Sequence, residues 1–274
     1  MNDHDYLTHL LKGIVLKPEQ MRLARSVDAR GILFRCRFPN APFVSISDNQ
    51  RAPLREANWI GTIYYGLPAE LFSPSFEAGS YLAFLGRLTT EKGPDAAIRI
   101  ARAAKMPLLI AAKVPREERK YFKEEIDPQI DGDQIQLIGE VNDQTKRQFL
   151  AGAAALQFPI DWPEQFGLVM IESLACGTPV IAFNSGSVPE VLDEGITGFV
   201  VPGEAEAIQA IARLSELDQR QVRRHFEKRF TIRRMAQEYL RHYEALSDRT
   251  PAKLVLTSGS PALQVQFPDR RSVP

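Results

Sequence analysis

Between about Ala41 and Gly198 the chain alternates short runs rich in β-branched and aromatic residues with runs whose apolar positions recur every three or four residues. "PFVSIS" (42–47) and "WIGTIYYG" (59–66) read as strands, each closed by turn residues. "SYLAFLGRL" (80–88) is a nearly unbroken apolar strand, and "PDAAIRIARAA" (94–104) has helical spacing. "PLLIAAKV" (107–114) and "IQLIGEV" (135–141) are further strands, then "DQTKRQFLAGAAA" (143–155) predicts a helix opened by Asp143. "LQFPI" (156–160) is a short strand, "FGLVMIESLACG" (166–177) a helix closed by Gly177, and "TPVIAFN" (178–184) a strand. "VPEVLDEG" (188–195) reads as a short helix and "TGFVV" (197–201) as a last strand. Continuously apolar strands alternating with helices imply a parallel sheet covered on both faces, a doubly wound α/β domain. From Glu204 the pattern is helical to about Leu246, and the remainder, rich in Pro and Ser and without period, reads as a mobile tail. The first 40 residues differ: two helical patches, around 5–15 and 18–29, precede "GILFRCRF".

The 274 residues carry 34 Lys plus Arg against 34 Asp plus Glu, so no global field recruits nucleic acid. The two cysteines, Cys36 and Cys176, lie outside any CxxC pattern, which suits a reducing cytoplasm. The four histidines have no metal-ligand spacing. No stretch approaches the ~20 apolar residues of a membrane span. One local excess stands out: "RQVRRHFEKRFTIRR" (220–234) holds seven cations and one acid. Such a face can dock weakly on anionic lipid; more commonly it is solvated, with Val222, Phe226 and Phe230 turned inward.

Ligands of open α/β sheets sit beyond the carboxyl ends of the strands. Three loops fall there. In "GRLTTEKG" (86–93), Gly86 allows close backbone approach, and Arg87 and Lys92 aim two cations at one mouth; alone, this is an ordinary solvated turn. In "DWPEQFGLVMIESLACGTPVIAF" (161–183), Glu164 precedes a helix whose free amides and positive end can face an anion, and Glu172 lies about two turns in. A carboxylate there can accept hydrogen bonds from vicinal hydroxyls. The bland alternatives are a helix-face acid for Glu172 and a charge favouring a helix start for Glu164. In "NSGSVPE" (184–190), Gly186 makes a turn and Glu190 opens a short helix.

Together, "FLGRLTTEKG", "LIGEVNDQTK", residues 161–201 and "RRHFEKRFTIRRMAQEY" resemble the retaining nucleotide-sugar glycosyltransferases of family 4, on the two-domain GT-B fold. The likeness runs from about Phe43 to Leu246 and is most specific in 161–201, where two glutamates eight positions apart precede "ACGTPVIA". Gln165 stands where the family usually has Pro, and Ser173 where it usually has Ala.

The resemblance implies that Arg87 and Lys92 hold the diphosphate of an activated sugar, Glu172 the ribose hydroxyls, and Glu164 the donor sugar. Gly86 and the backbone of Phe166, Gly167 and Leu168 would lie near phosphate and sugar; Lys113–Val114 and Gly139–Val141, with Glu140, would wall the base. Glu164, Arg87 and Lys92 are the implied catalytic set, with no obligatory metal and a nucleotide-diphosphate sugar as co-substrate. The implied organisation is a GT-B type C-terminal Rossmann-like domain with a parallel sheet (76–246), an incomplete N-terminal α/β portion (1–75) left from the acceptor side, and the tail (247–274). A sugar or lipid-linked acceptor is the expected partner, with self-association through the strands of 41–66. A binding module without turnover is the alternative that shortening of the acceptor side leaves open. A nicotinamide enzyme is disfavoured because no GxGxxG follows a strand.

Overall fold

Six of the apolar runs assemble into one all-parallel sheet: β3 (Tyr81–Arg87), β4 (Leu108–Lys113), β5 (Ile135–Gly139), β6 (Ala153–Phe158), β7 (Val180–Phe183) and β8 (Gly198–Val201). They follow β1 (Phe43–Ser45) and β2 (Trp59–Thr62), which pair in parallel as a separate two-stranded sheet. The computed structural model describes residues 42–77 and 79–247; the helical patches before residue 41 and the tail after 247 lie outside the described residues.

The sheet order is β5-β4-β3-β6-β7-β8. Winding therefore proceeds outward from β3 to β5, then restarts at β6 on the other side, and a crevice opens between the carboxyl ends of β3 and β6. Side-chain alternation sends Ala83, Leu156 and Phe158 to one face and Leu82, Phe84 and Ala155 to the other. The first face packs against α2 (Asp143–Ala151), α3 (Leu168–Ala175) and α6 (Gln219–Arg229) through Phe149, Leu150, Ile171, Leu174, Val222 and Phe226. The second packs against α1 (Pro94–Ala104) and α5 (Glu204–Ala212) through Ile98, Ile100, Ala207 and Ala210. Leu82, Leu108 and Ile110 are fully buried, each contributing about 1.5–3 kcal/mol.

Several boundaries differ from those read off the sequence. The helix expected over 143–155 ends at Ala151, and Ala153–Ala155 belong to β6. Alanine favours helix, but the centre of the sheet, flanked by β3 and β7, leaves Ala153 and Ala155 wholly buried, and tertiary burial outweighs a propensity of a few tenths of a kcal/mol. The helix opens at Asp143 as expected, and the side chain of Asn142 before it caps it by accepting from the amide of Thr145. Helix 166–177 shortens to α3, and helix 188–195 to α4 (Val188–Val191). The strand expected over 59–66 stops at Thr62.

The last helix, α7 (Ile232–Ser247), returns to the β1–β2 unit. The amide of Leu67 donates to Phe230 and that of Ile232 to Leu67, at 2.8 and 3.0 Å. A Cβ on Gly61 of β2 would stand 2.4 Å from the His242 ring. The segment after β2 is thus tied to the start of α7, and β2 itself lies against the later half of that helix.

Candidate functional site

Three loops meet at the crevice. The first leaves β3 at Gly86 and Arg87 and turns through a single 3-10 turn at Thr90–Lys92. A Cβ at Gly86 would meet nothing within 4 Å, so the space beside it is open. The second leaves β6 at Phe158 and carries Glu164. The third leaves β7 and carries Gly186. Backbone bonds tie them: the Asp161 amide donates to Glu91 at 3.0 Å, and the Ser187 amide to Glu164 at 2.8 Å. The Ser185 hydroxyl donates to the Trp162 carbonyl at 2.6 Å. Gly186 has φ +60°, and a Cβ there would stand 2.3 Å from the backbone N and O of Glu164. Only glycine lets these two loops touch.

Charge is paired across this junction. Lys92 Nζ lies 2.5 Å from Glu164 Oε2, both side chains being about one-fifth exposed, and the ammonium also sits 5.9 Å from the centre of the Phe158 ring. The sequence reading gives these two residues different parts of a ligand; here they are partners. Arg87 is 60% exposed and bound only loosely to Glu91, at 3.6 Å.

Helix α3 begins at Leu168 with Gly167 as its cap, in the left-handed region at φ 75°, and no side chain caps it. The amide of Met170 donates back to the Gly167 carbonyl at 2.9 Å, and the amides of Leu168 and Val169 are directed out of the helix end, where an anion is favoured. Because the helix starts at Leu168 rather than Phe166, Glu172 lies about one turn in, about 6 Å along the axis. Glu172 is buried, and Lys146 Nζ stands 2.6 Å from its Oε1. Burial works against the charge of Lys146, but Glu172, supported by Asp143, outweighs it and holds the ammonium pKa above its ordinary value.

The remaining expected residues occupy the β4–β5 end of the mouth. Lys113 closes β4 and pairs with Glu140 at 3.2 Å, both well exposed. Val141 packs against the first core face, and Val114 against the second. Phe166 is not a surface residue: its ring is buried against Tyr65, Tyr64 and Phe230, with centroids 5.2, 6.0 and 6.1 Å away. Leu168 is partly buried on the same core.

Sequence reasoning did not single out Lys146, nor the partners of Glu190, Gln165 and Ser173. Lys146 shares a helix face with Phe149 and Leu150, three and four positions on, and that inward placement was its signal. Glu190 accepts from the amides of Asp48 and Asn49, each at 2.7 Å, and so holds the start of the 3-10 segment Asn49–Leu54 of the N-terminal unit. The two departures from the family pattern have partners: Gln165 accepts from Gln50 at 3.4 Å, and the Ser173 hydroxyl donates to Thr178 at 2.9 Å.

Among the described residues no group of three or more His, Cys, Asp or Glu is arranged to hold a metal ion. An Asp-x-Asp sequence does occur at Asp131–Asp133, but it stands ahead of β5, at the end of the sheet opposite the mouth, with Asp131 accepting from the amides of Asp133 and Ile135.

The family described as "Glycosyl transferases group 1" matches residues 72–231. The D-inositol 3-phosphate glycosyltransferase of Mycobacterium leprae (strain Br4923) is 29% identical over 153 residues, covering 50% of this chain and 34% of the relative. The chain thus spans about a third of that relative's length. Among solved structures, AviGT4, a glycosyltransferase involved in Avilamycin A biosynthesis, superposes with a TM-score of 0.65 at 24% identity, covering 74% of this chain and 63% of the other. Anabaena Alr3699/HepE in complex with UDP and glucose gives 0.68 at 19% identity, covering 82% and 67%. These two likenesses speak for the fold.

Proposed function

Because this chain belongs to the group 1 glycosyl transferases, we propose that its crevice binds a nucleoside-diphosphate sugar and that the protein transfers the sugar, with retention, to a sugar or lipid-linked acceptor. The observation that carries this reading is the knot of three loops at the β3/β6 crevice, which brings Arg87, Lys92, Glu164 and the uncapped start of α3 to one mouth.

In this reading Arg87 and Lys92 take the diphosphate. Arg87 is exposed and only weakly paired, so its guanidinium is available to fork onto phosphate oxygens. The start of α3 adds the amides of Leu168 and its neighbours, with Gly167 and Gly86 clearing the approach. When the bond from sugar to diphosphate breaks, negative charge grows on the leaving group. Two cations and a helix end preset around it stabilise that change without reorganising. Glu164 binds hydroxyls of the sugar once Lys92 turns to phosphate, and Glu172 those of the ribose. Lys113, Glu140 and Val141 flank the base. No metal is assigned a step, since the charge to be stabilised already faces two side-chain cations.

Calorimetry with UDP, GDP and ADP tests the donor site. One of them should bind in the micromolar range, and Arg87→Ala or Lys92→Ala should each weaken it about tenfold, as expected for a charge-assisted contact. No heat with any of the three would end the reading. Release of sugar from the matching radiolabelled donor then separates a transferase from a module that only binds.

A further inference from the structure

Glu172 sits in a wall of apolar side chains: Met170, Ile171 and Leu174 of the same helix are all fully buried. A carboxylate in such a place needs a partner. Lys146 supplies it from the first turn of α2, with Nζ 2.6 Å from Oε1 and the two side chains only 17% and 12% exposed. The ammonium is also 3.4 Å from Asp143, so it is itself held from two sides. If this contact served only to dock α2 on α3, apolar side chains of similar volume would do as well or better, and Phe149 and Leu150 already pack from α2 into that core. What an ion pair adds is orientation. Lys146 also lies in the first turn of the helix that follows the carboxyl end of β5, the end of the sheet on which the mouth opens.

We propose that Lys146 is a positioning residue: it fixes the plane of the Glu172 carboxylate so that the site selects ribonucleoside over 2′-deoxyribonucleoside diphosphates. This rests on Glu172 as the ribose acceptor. An ammonium on one oxygen removes the carboxylate's rotational freedom, and a vicinal diol meets a fixed acceptor instead of a mobile one.

The test is calorimetry on the full chain with three probe pairs, UDP and 2′-deoxy-UDP, GDP and 2′-deoxy-GDP, ADP and 2′-deoxy-ADP, read as the affinity ratio within whichever pair binds. The unaltered protein should favour the ribose form about tenfold, the worth of one hydrogen bond to a charged group. Lys146→Met should bring the ratio to within about twofold, Lys146→Arg should restore most of it, and Glu172→Gln should lower it as Lys146→Met does. Combining Lys146→Met with Glu172→Gln should lower it no further, because the two residues act as one unit. If Lys146→Met does not fold by circular dichroism, Lys146→Gln replaces it and the same ratio is read. A tenfold ratio that survives in Lys146→Met but not in Glu172→Gln overturns the proposal and leaves Glu172 on the ribose. A ratio lost equally in Lys146→Arg overturns it too, since the role would then be packing. A ratio near one in the unaltered protein removes Glu172 from the ribose, and the proposal falls with that assignment.

Discussion

Lys92 and Glu164 show how a single contact can link two steps of recognition. Each is the other's partner at 2.5 Å, so at the proposed donor site an incoming diphosphate would have to compete with a carboxylate for the ammonium. On the same proposal, a sugar attached to that diphosphate would then find the freed carboxylate beside it. Replacing Glu164 by Gln removes the competitor. The nucleoside diphosphate alone should then bind about threefold tighter, in line with the ~0.2–1 kcal/mol of a partly exposed ion pair. The nucleotide sugar should lose its advantage over the bare diphosphate. Paired titrations of wild type and variant check both signs; a weaker diphosphate would show that the pair does not oppose binding. The types and spacing of Arg87, Lys92, Glu164 and Glu172 were legible from sequence, because each follows from strand ends and a helix start in a local stretch. That Lys92 faces Glu164 and Lys146 faces Glu172 was not. Those contacts join residues 72 and 26 positions apart, and nothing in either local pattern encodes the meeting.

At the scale of elements, the sheet could be read from its apolar runs, while α2 and β6 were merged because "AGAAA" carries no turn residue stronger than Gly152. The alanines suit a helix by propensity and a crowded central strand by size, and the second demand prevails. The connection from α4 to β8 and its contact with α6 were equally hidden. His225 of α6 places Nδ1 3.0 Å from Asp193, and the Arg229 guanidinium lies 3.1 Å from Nε2. A guanidinium only donates, so Nε2 accepts, and Nδ1 carries the proton toward Asp193. Burial, with Arg229 adding to it and Asp193 opposing it, keeps the imidazole pKa below its ordinary 6.5. The sign follows from linkage. Below pH 6.5 the unfolded chain takes up a proton that the folded chain still refuses, so stability is full above that value and declines as pH falls through it. The melting temperature should drop between pH 7 and 5.5 by the equivalent of about 1 kcal/mol at most. His225→Asn, which keeps a donor for Asp193 but cannot titrate, should flatten that part of the curve. An unchanged slope would place the acid sensitivity elsewhere.

Across the whole molecule, the basic run 220–234 changes meaning once its side chains are placed. Arg223, Arg229 and Arg234 turn inward: Arg229 donates to the Glu190 carbonyl at 2.6 Å, and Arg234 to that of Tyr64. Arg224 pairs with Asp218 at 3.4 Å, and Arg220 lies over the ring of Phe76. Two of the seven cations, Arg223 and Arg234, hydrogen-bond carbonyls of the segment ahead of β3. Arg223 is the clearest case. Its Nε donates to Glu227 at 2.8 Å, and its terminal nitrogens donate to the carbonyls of Ala69 and Phe72 at 3.0 Å each and to that of Ala175. One planar fork thus joins the connector leading into β3, the end of α3 and its own helix. A lysine has the charge but not the fork, so Arg223→Lys should lower stability by about 2 kcal/mol through carbonyls left without donors. Arg223→Met should lower it by about 3 kcal/mol, since no donor remains at all. Urea unfolding measures both, and tryptophan emission adds location: Trp59 reports the N-terminal unit and Trp162 the loop that carries Glu164. If Arg223 binds the units together, the variants should lose the single transition, with emission changing at lower urea than helical circular dichroism. Coincident curves displaced by less than about 0.5 kcal/mol, the usual scatter of a plain surface change, would mean that Arg223 fastens nothing the fold depends on.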